Sequence, residues 1–215
     1  NLVADYGSAV MRGMQDGGVV ACAKHFPGHG DTEVDSHKAL PVLKFPKERL
    51  DSVELYPFRR LIKDGVEMVM VGHLLVPVLD TLPASVSKVV VTDLLRKKMK
   101  FRGLIITDAL GMEGVLEPFG GSGAKATLAA YKAGVDILLM PDNVSESIDL
   151  IVDYIGDDRR KLKDLDARVS RVLALKGKCG KLTGRDDLSV DPAAVDTKGT
   201  DALITTIEET LAAER

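Results

Sequence analysis

Four short, predominantly apolar runs restrict this chain's fold more than any other feature: Val19–Ala23, Val66–Val71, Leu104–Ile106 and Val135–Met140, with Glu67 and Asp136 as the only charges inside them. Runs this short, without polar alternation, suit strands buried on both faces. Helical periods separate them. Residues 3–15 carry Val3, Tyr6, Val10, Met11 and Met14 at helical spacing, and Gly17-Gly18 ends that helix. Further helices are expected at 47–64, 89–99, 124–133, 145–156 and 162–176. Strands alternating with helices predict parallel βα repeats. Each apolar run ends in polar residues: Lys24-His25, His73, Thr107-Asp108 and Asp142. Parallel α/β folds place their chemistry at that end of the strands.

The pattern therefore predicts an α/β chain, with about four βα units of a (β/α)8 TIM-type barrel. A whole barrel takes eight strands and roughly 250 residues. Four units would leave an open sheet edge and an uncovered inner face. Residues 1–180 are expected to form this partial barrel domain. Residues 181–215 read as a polar linker and a last amphipathic helix through Leu203, Ile204, Ile207 and Leu211.

Composition narrows the class of partner. A formal net charge of −3 gives no reason to propose nucleic acid or anionic membrane as a partner. No apolar run approaches the ~20 residues of a membrane span. Two cysteines, Cys22 and Cys179, make neither a disulfide framework nor a zinc quartet. The chain opens without Met on a helix already under way, so any targeting signal would lie upstream.

The densest polar stretch follows the first run. Lys24, His25, His29, Asp31, Asp35 and His37 crowd around Pro27, Gly28 and Gly30. No pair has the helical spacing of a histidine metal motif on a credible helix, so no metal site is expected. Asp35 stands two residues before His37; such a carboxylate can fix an imidazole's tautomer and keep it protonated near neutrality. A histidine held so can serve as general acid and then as base. Asp108 ends its strand at the rim, where it could be a nucleophile, a base or a helix cap. His73 could line the site or satisfy the end of its strand.

Ala23-Lys-His-Phe-Pro-Gly-His-Gly-Asp-Thr32, with Asp35-Ser-His37 and Leu40-Pro41, resembles the bacterial β-N-acetylglucosaminidases of glycoside hydrolase family 3. Leu94-Leu-Arg-Lys-Lys98, continuing into Phe101-Arg-Gly-Leu-Ile-Ile-Thr-Asp-Ala-Leu-Gly-Met112, is similar to that family's nucleophile signature. Gly111 stands where that signature often carries an acid. Pro83-Ala-Ser-Val-Ser87 and Ala133-Gly-Val-Asp-Ile-Leu-Leu-Met-Pro141 resemble family segments in the expected order. The resemblance covers about residues 1–177.

It implies hydrolysis of terminal β-linked N-acetylglucosamine with retention, with cell-wall peptidoglycan fragments as the expected substrate. It assigns Asp108 as nucleophile, His37 as acid/base with Asp35 as its partner, and Lys24 with His25 as sugar binders. It implies a carbohydrate substrate and neither metal nor organic cofactor. The local Asp35/His37 pair favours the hexosaminidase branch, since the acid of the β-glucosidase branch is usually a Glu from a further domain. The family barrel also has an N-terminal half with more substrate-binding residues. The present chain is expected to need that half, and alone to be inactive or to act as a non-catalytic module. A β-glucosidase specificity is the other alternative.

Overall fold

The computed structural model describes residues 2–30 and 40–179. Three parallel strands, β1 (Cys22–Phe26), β2 (Met68–Val71) and β3 (Leu104–Thr107), pair in the order β1-β2-β3. Parallel neighbours in chain order need crossovers, and helices supply them. The first crossover runs through α2 (Lys47–Arg49), a π-helical turn at Leu50–Glu54 and α3 (Leu55–Lys63). The second is the helix expected over 89–99, which is a π-helix at Val89–Lys98; it closes with the Met99 amide donating to Leu94 O, five residues back. Helices α4 (Glu113–Leu116), α5 (Gly123–Ala133), α6 (Val144–Ile155) and α7 (Arg159–Lys178) follow β3. Ser122 caps α5 by accepting from the Lys125 amide, and Gly134 ends it in the left-handed conformation.

β1 sits three residues later than the apolar run suggested. Cys22 pairs with Met68 and Ala23 with Val69, but Phe26 pairs with Val71, so the register slips between Ala23 and Phe26. The reason is packing: Phe26 is fully buried and meets the Phe58 ring edge-on at 5.2 Å, whereas Val19 is largely exposed. Lys24 and His25 therefore belong to the strand and its slipped register, not to the loop beyond it. Such irregularities re-aim side chains at sheet rims.

The fourth run does not become a full strand. Ile137 makes a single parallel bridge to Ile106, and its amide and carbonyl bond Ile105 O and the Thr107 amide. The next ladder position is taken by a side chain, with the Leu139 amide donating to Thr107 Oγ1 at 3.0 Å. The Asp136 carboxylate accepts from the Ile105 amide at 2.8 Å. Side chains thus replace part of the backbone ladder, and the run stays extended beside β3.

β3 is buried throughout, as a central strand should be. In β2, Val69 and Val71 are buried while Met68 and Met70 on the other face are half-buried. The closed face packs with Leu50, Leu55, Leu74, Leu95 and Phe101 into one core. Helix α1 (Leu2–Asp16) buries a face rotated from the expected one, which keeps Met11 inside but not Val3, Tyr6 or Val10. Ala4, Ser8 and Met11 are buried, while Val3, Tyr6 and Val10 are 69%, 67% and 62% exposed. Small residues let α1 approach α3 closely, with the Gly7 Cβ position 3.9 Å from Leu61. No helix among the described residues is long and apolar enough to cross a membrane.

Gly103 shows how tightly β3 enters the sheet. A Cβ there would lie 2.3 Å from Glu67 O and 2.7 Å from the Phe101 ring. Backbone cannot yield as a flexible side chain would. Gly103→Ala is expected to cost about 1–3 kcal/mol of stability by overpacking, read as a lower urea midpoint with an unchanged m-value.

Candidate active site

All three strands point the same way, so their C-terminal ends form one rim. β1 brings Lys24 and His25 there, β2 leads into Gly72-His73, and β3 into Asp108. The ladder continues past the strand ends. The Gly72 amide donates to Phe26 O, and the Asp108 amide to Val71 O, both at 3.0 Å. Gly72 suits this closeness: a Cβ on it would stand 3.0 Å from the His25 Cβ, and the two strands would have to ease apart by a few tenths of an ångström.

Asp108 is half-buried, and its two oxygens have different surroundings. Oδ1 accepts from the Ala109 amide at 2.9 Å. Oδ2 lies 3.5 Å from His25 Nε2, at the range of an ion pair. The His25 ring meets His29 edge-on, with centroids 6.0 Å apart. Lys24 is exposed on the same strand. Asp108, Lys24 and His25, singled out from sequence, thus share one rim. Asp35 and His37 lie outside the described residues.

His73 is buried behind the nucleophile candidate. Its Nδ1 lies 2.6 Å from Ser85 Oγ and its Nε2 2.8 Å from Ala109 O. Burial pushes the imidazole below its ordinary range, against the opposing pull of the Ala109 carbonyl and the Asp108 charge. It satisfies a strand end, as one of its two expected roles required, and does so against the residue that follows Asp108. Ser85 carried no role in the sequence reading, although it stands within a segment quoted there for family resemblance. A hydroxyl twelve residues from its partner leaves no periodic signal.

Glu54 was also missed. A Cβ on Gly28 would lie 2.6 Å from the Glu54 Cβ, so the glycine turn rests directly on this side chain. Gly28 has φ +124°, which alone disfavours any other residue. Glu54 Oε1 accepts from Arg49 at 3.1 Å, and its Oε2 is buried with no hydrogen-bond partner among the described residues. The apolar spacing of the helix concealed a carboxylate on its buried face.

Asp142 sits beyond the fourth run, against two glycines. A Cβ on Gly111 would come within 2.4 Å of Asp142 Oδ1, and one on Gly123 within 3.1 Å of its carboxylate. A side chain at Gly111 would therefore have to turn the exposed Asp142 carboxylate aside. A cavity of about 620 Å³ opens between α1 and β1, lined by Lys24, His25 and His29 together with Val3, Val10 and Met14. Asp108 is not among its lining residues, so the polar rim, and not the apolar cavity, is the candidate for chemistry. Cys22 and Cys179 are both free, and burial pushes the Cys22 thiol up, away from the reactive thiolate.

A family model described as the glycosyl hydrolase family 3 N terminal domain matches residues 1–175. "Beta-hexosaminidase A" from Pseudoalteromonas piscicida is 32% identical over 199 residues, covering 82% of this chain and 33% of that protein. A "Beta-hexosaminidase" of Neisseria meningitidis is 39% identical over 147 residues, covering 67% of this chain and 40% of that protein. Among solved structures, a glycoside hydrolase family 3 β-N-acetylglucosaminidase from Paenibacillus superposes with a TM-score of 0.79 at 36% identity. It covers 88% of this chain and 36% of that one. The chain thus spans about a third to two fifths of the length of these relatives.

Proposed function

The chain belongs to glycosyl hydrolase family 3, and from that membership we propose that it carries the nucleophile side of a retaining exo-β-N-acetylhexosaminidase. Its substrate is a saccharide ending in β-linked N-acetylglucosamine, with peptidoglycan fragments as the natural source of such ends. The observation that carries this reading is Asp108 at the C-terminal end of β3, with Oδ2 3.5 Å from His25 on β1. Residues 1–180 are proposed as about four βα units of a (β/α)8 barrel, and 181–215 as a linker with a last helix.

The proposed reaction is a double displacement. Asp108 attacks the anomeric carbon while His37 gives its proton to the departing glycosidic oxygen, forming a covalent glycosyl-enzyme. His37, now neutral, takes a proton from water as that water displaces Asp108. Two inversions return the original anomeric configuration. Asp35 holds the His37 ring in the tautomer that donates and accepts at the right nitrogen. Lys24 and His25 bind sugar hydroxyls beside the nucleophile. This chemistry requires no metal or organic cofactor. A histidine acid also avoids setting a second carboxylate beside an anionic nucleophile.

The test is substrate preference in the full-length gene product. Nitrophenyl N-acetylglucosaminide is expected to be cleaved well ahead of the glucoside; the reverse order would overturn the specificity. The acid role of His37 has its own signature. His37→Ala should slow substrates with poor leaving groups by roughly 10²–10⁴-fold, and activated nitrophenyl substrates far less. Equal losses on both kinds would contradict it.

A further inference from the structure

We propose that His73 and Ser85 form a positioning chain for the nucleophile, acting through Ala109 and touching no substrate. The inference rests on the glycosidase reading above. The donors and acceptors leave one arrangement of protons. Ala109 O can only accept, so His73 Nε2, 2.8 Å away, bears the hydrogen. Nδ1 of the neutral ring then carries a lone pair, and the Ser85 hydroxyl at 2.6 Å donates to it. The ring is almost wholly buried, which favours this uncharged form. The groups of charge that bear on it are Asp108 and His25.

Ala109 is held at both of its peptide groups. Its carbonyl is fixed by His73, and its amide donates to Asp108 Oδ1 at 2.9 Å. Asp108 is anchored further by its own amide on Val71 O. Oδ1 is thereby committed to the backbone, and Oδ2, on the His25 side, is left to form the glycosyl bond. In that step the Oδ2–carbon bond forms, the bond to the leaving oxygen breaks, and that oxygen takes the proton from His37. Nucleophilic attack is sensitive to such placement: a displacement of about 1 Å can cost on the order of 10²-fold in rate. A histidine that merely closed the end of β2 would need no partner beside the nucleophile. Ser85 is itself buried on a short turn after Pro83, so the whole chain is shielded from water that would compete for its hydrogen bonds.

Two isosteres separate positioning from packing in the full-length gene product. Glutamine can reproduce the donor at Nε2, whereas asparagine can reproduce only the group at Nδ1. His73→Gln is expected to restore kcat on nitrophenyl N-acetylglucosaminide to within about threefold of the parent. His73→Asn is expected to lose roughly 10–100-fold in kcat with KM little changed. Equal kcat losses in the two variants, or losses confined to KM, would overturn the proposal. Nitrogen NMR of the ring in the parent supplies an arm independent of turnover. A neutral ring with its hydrogen on Nε2 at neutral pH is expected, and a hydrogen on Nδ1 or a protonated ring would overturn the chain. A parent without glycosidase activity would sink the reading of the site, and the ring's proton would then decide on the hydrogen-bond chain alone.

Discussion

Asp108→Ala is expected to abolish glycoside hydrolysis, with kcat on nitrophenyl N-acetylglucosaminide falling on the order of 10⁴-fold or more in the full-length gene product. No neighbouring group can replace it. Its Oδ1 is held by the Ala109 amide, its Oδ2 faces His25, and its backbone is tied to Val71 by a bond that alanine retains. The fold should therefore survive the substitution, since the side chain contributes one local bond and is partly exposed. The same geometry predicts a rescue. Removing the carboxylate leaves room beside His25 for a small anion, so azide should restore part of the turnover on activated substrates and yield a glycosyl azide. A variant that keeps a tenth of the parent activity while folded would remove Asp108 from the nucleophile role.

The second large effect falls on stability. Asp136 is fully buried in its side chain, yet each of its oxygens is saturated. Oδ2 accepts from Arg96 at 2.6 Å and from the Ile105 amide at 2.8 Å, and Oδ1 accepts from Arg171 Nη2 at 2.7 Å and from its Nε at 3.0 Å. Arg96 also donates to the carbonyls of Phe101 and Gly103, which lead into β3. One carboxylate thus joins the fourth run, β3, the Val89–Lys98 helix and α7. A buried ion pair can add little net stability against an apolar substitute, because both ions lose water. Deleting one member is another matter, since the remaining charges stay in place uncompensated. Asp136→Ala should cost about 3–5 kcal/mol, read by urea or thermal unfolding. Asp136→Asn should recover part of this by keeping an acceptor for the Ile105 amide. Losses below about 1 kcal/mol in both variants would show that water reaches the two guanidinium groups freely.

The parallel order of the strands and the gathering of polar residues at their C-terminal ends were legible from four apolar runs and the polar residues after them. Lys24, His25 and Asp108 do meet at that rim. The start of β1 was not legible, because Val19–Ala23 looks as strand-like as Cys22–Phe26. The decision falls to Phe26, whose ring fills the core against Phe58, and that contact is long-range. The fourth run misled for a related reason. Its apolar character was read correctly, but Thr107 Oγ1 and the Asp136 carboxylate replace backbone partners, and hydropathy carries no trace of such bonds. α1 misled in the opposite sense. Its apolar spacing is real, yet Ala4 and Ser8 face α3, because a close approach selects small residues over large ones. His73 was visible as a candidate, while its partner Ser85 is a plain hydroxyl on a distant turn. The Asp35/His37 pair lies outside the described residues, so its role rests on the reaction proposed above.

The nucleophile itself can be observed. The full-length gene product would be incubated with a slow fluorinated N-acetylglucosaminyl fluoride, whose second displacement lags the first, then digested and mapped by mass spectrometry. Retaining hydrolysis through Asp108 predicts one added sugar on the peptide that contains Asp108 and none on the Asp108→Ala protein. A sugar on another residue, or turnover with inverted anomeric configuration and no labelled peptide, would contradict it.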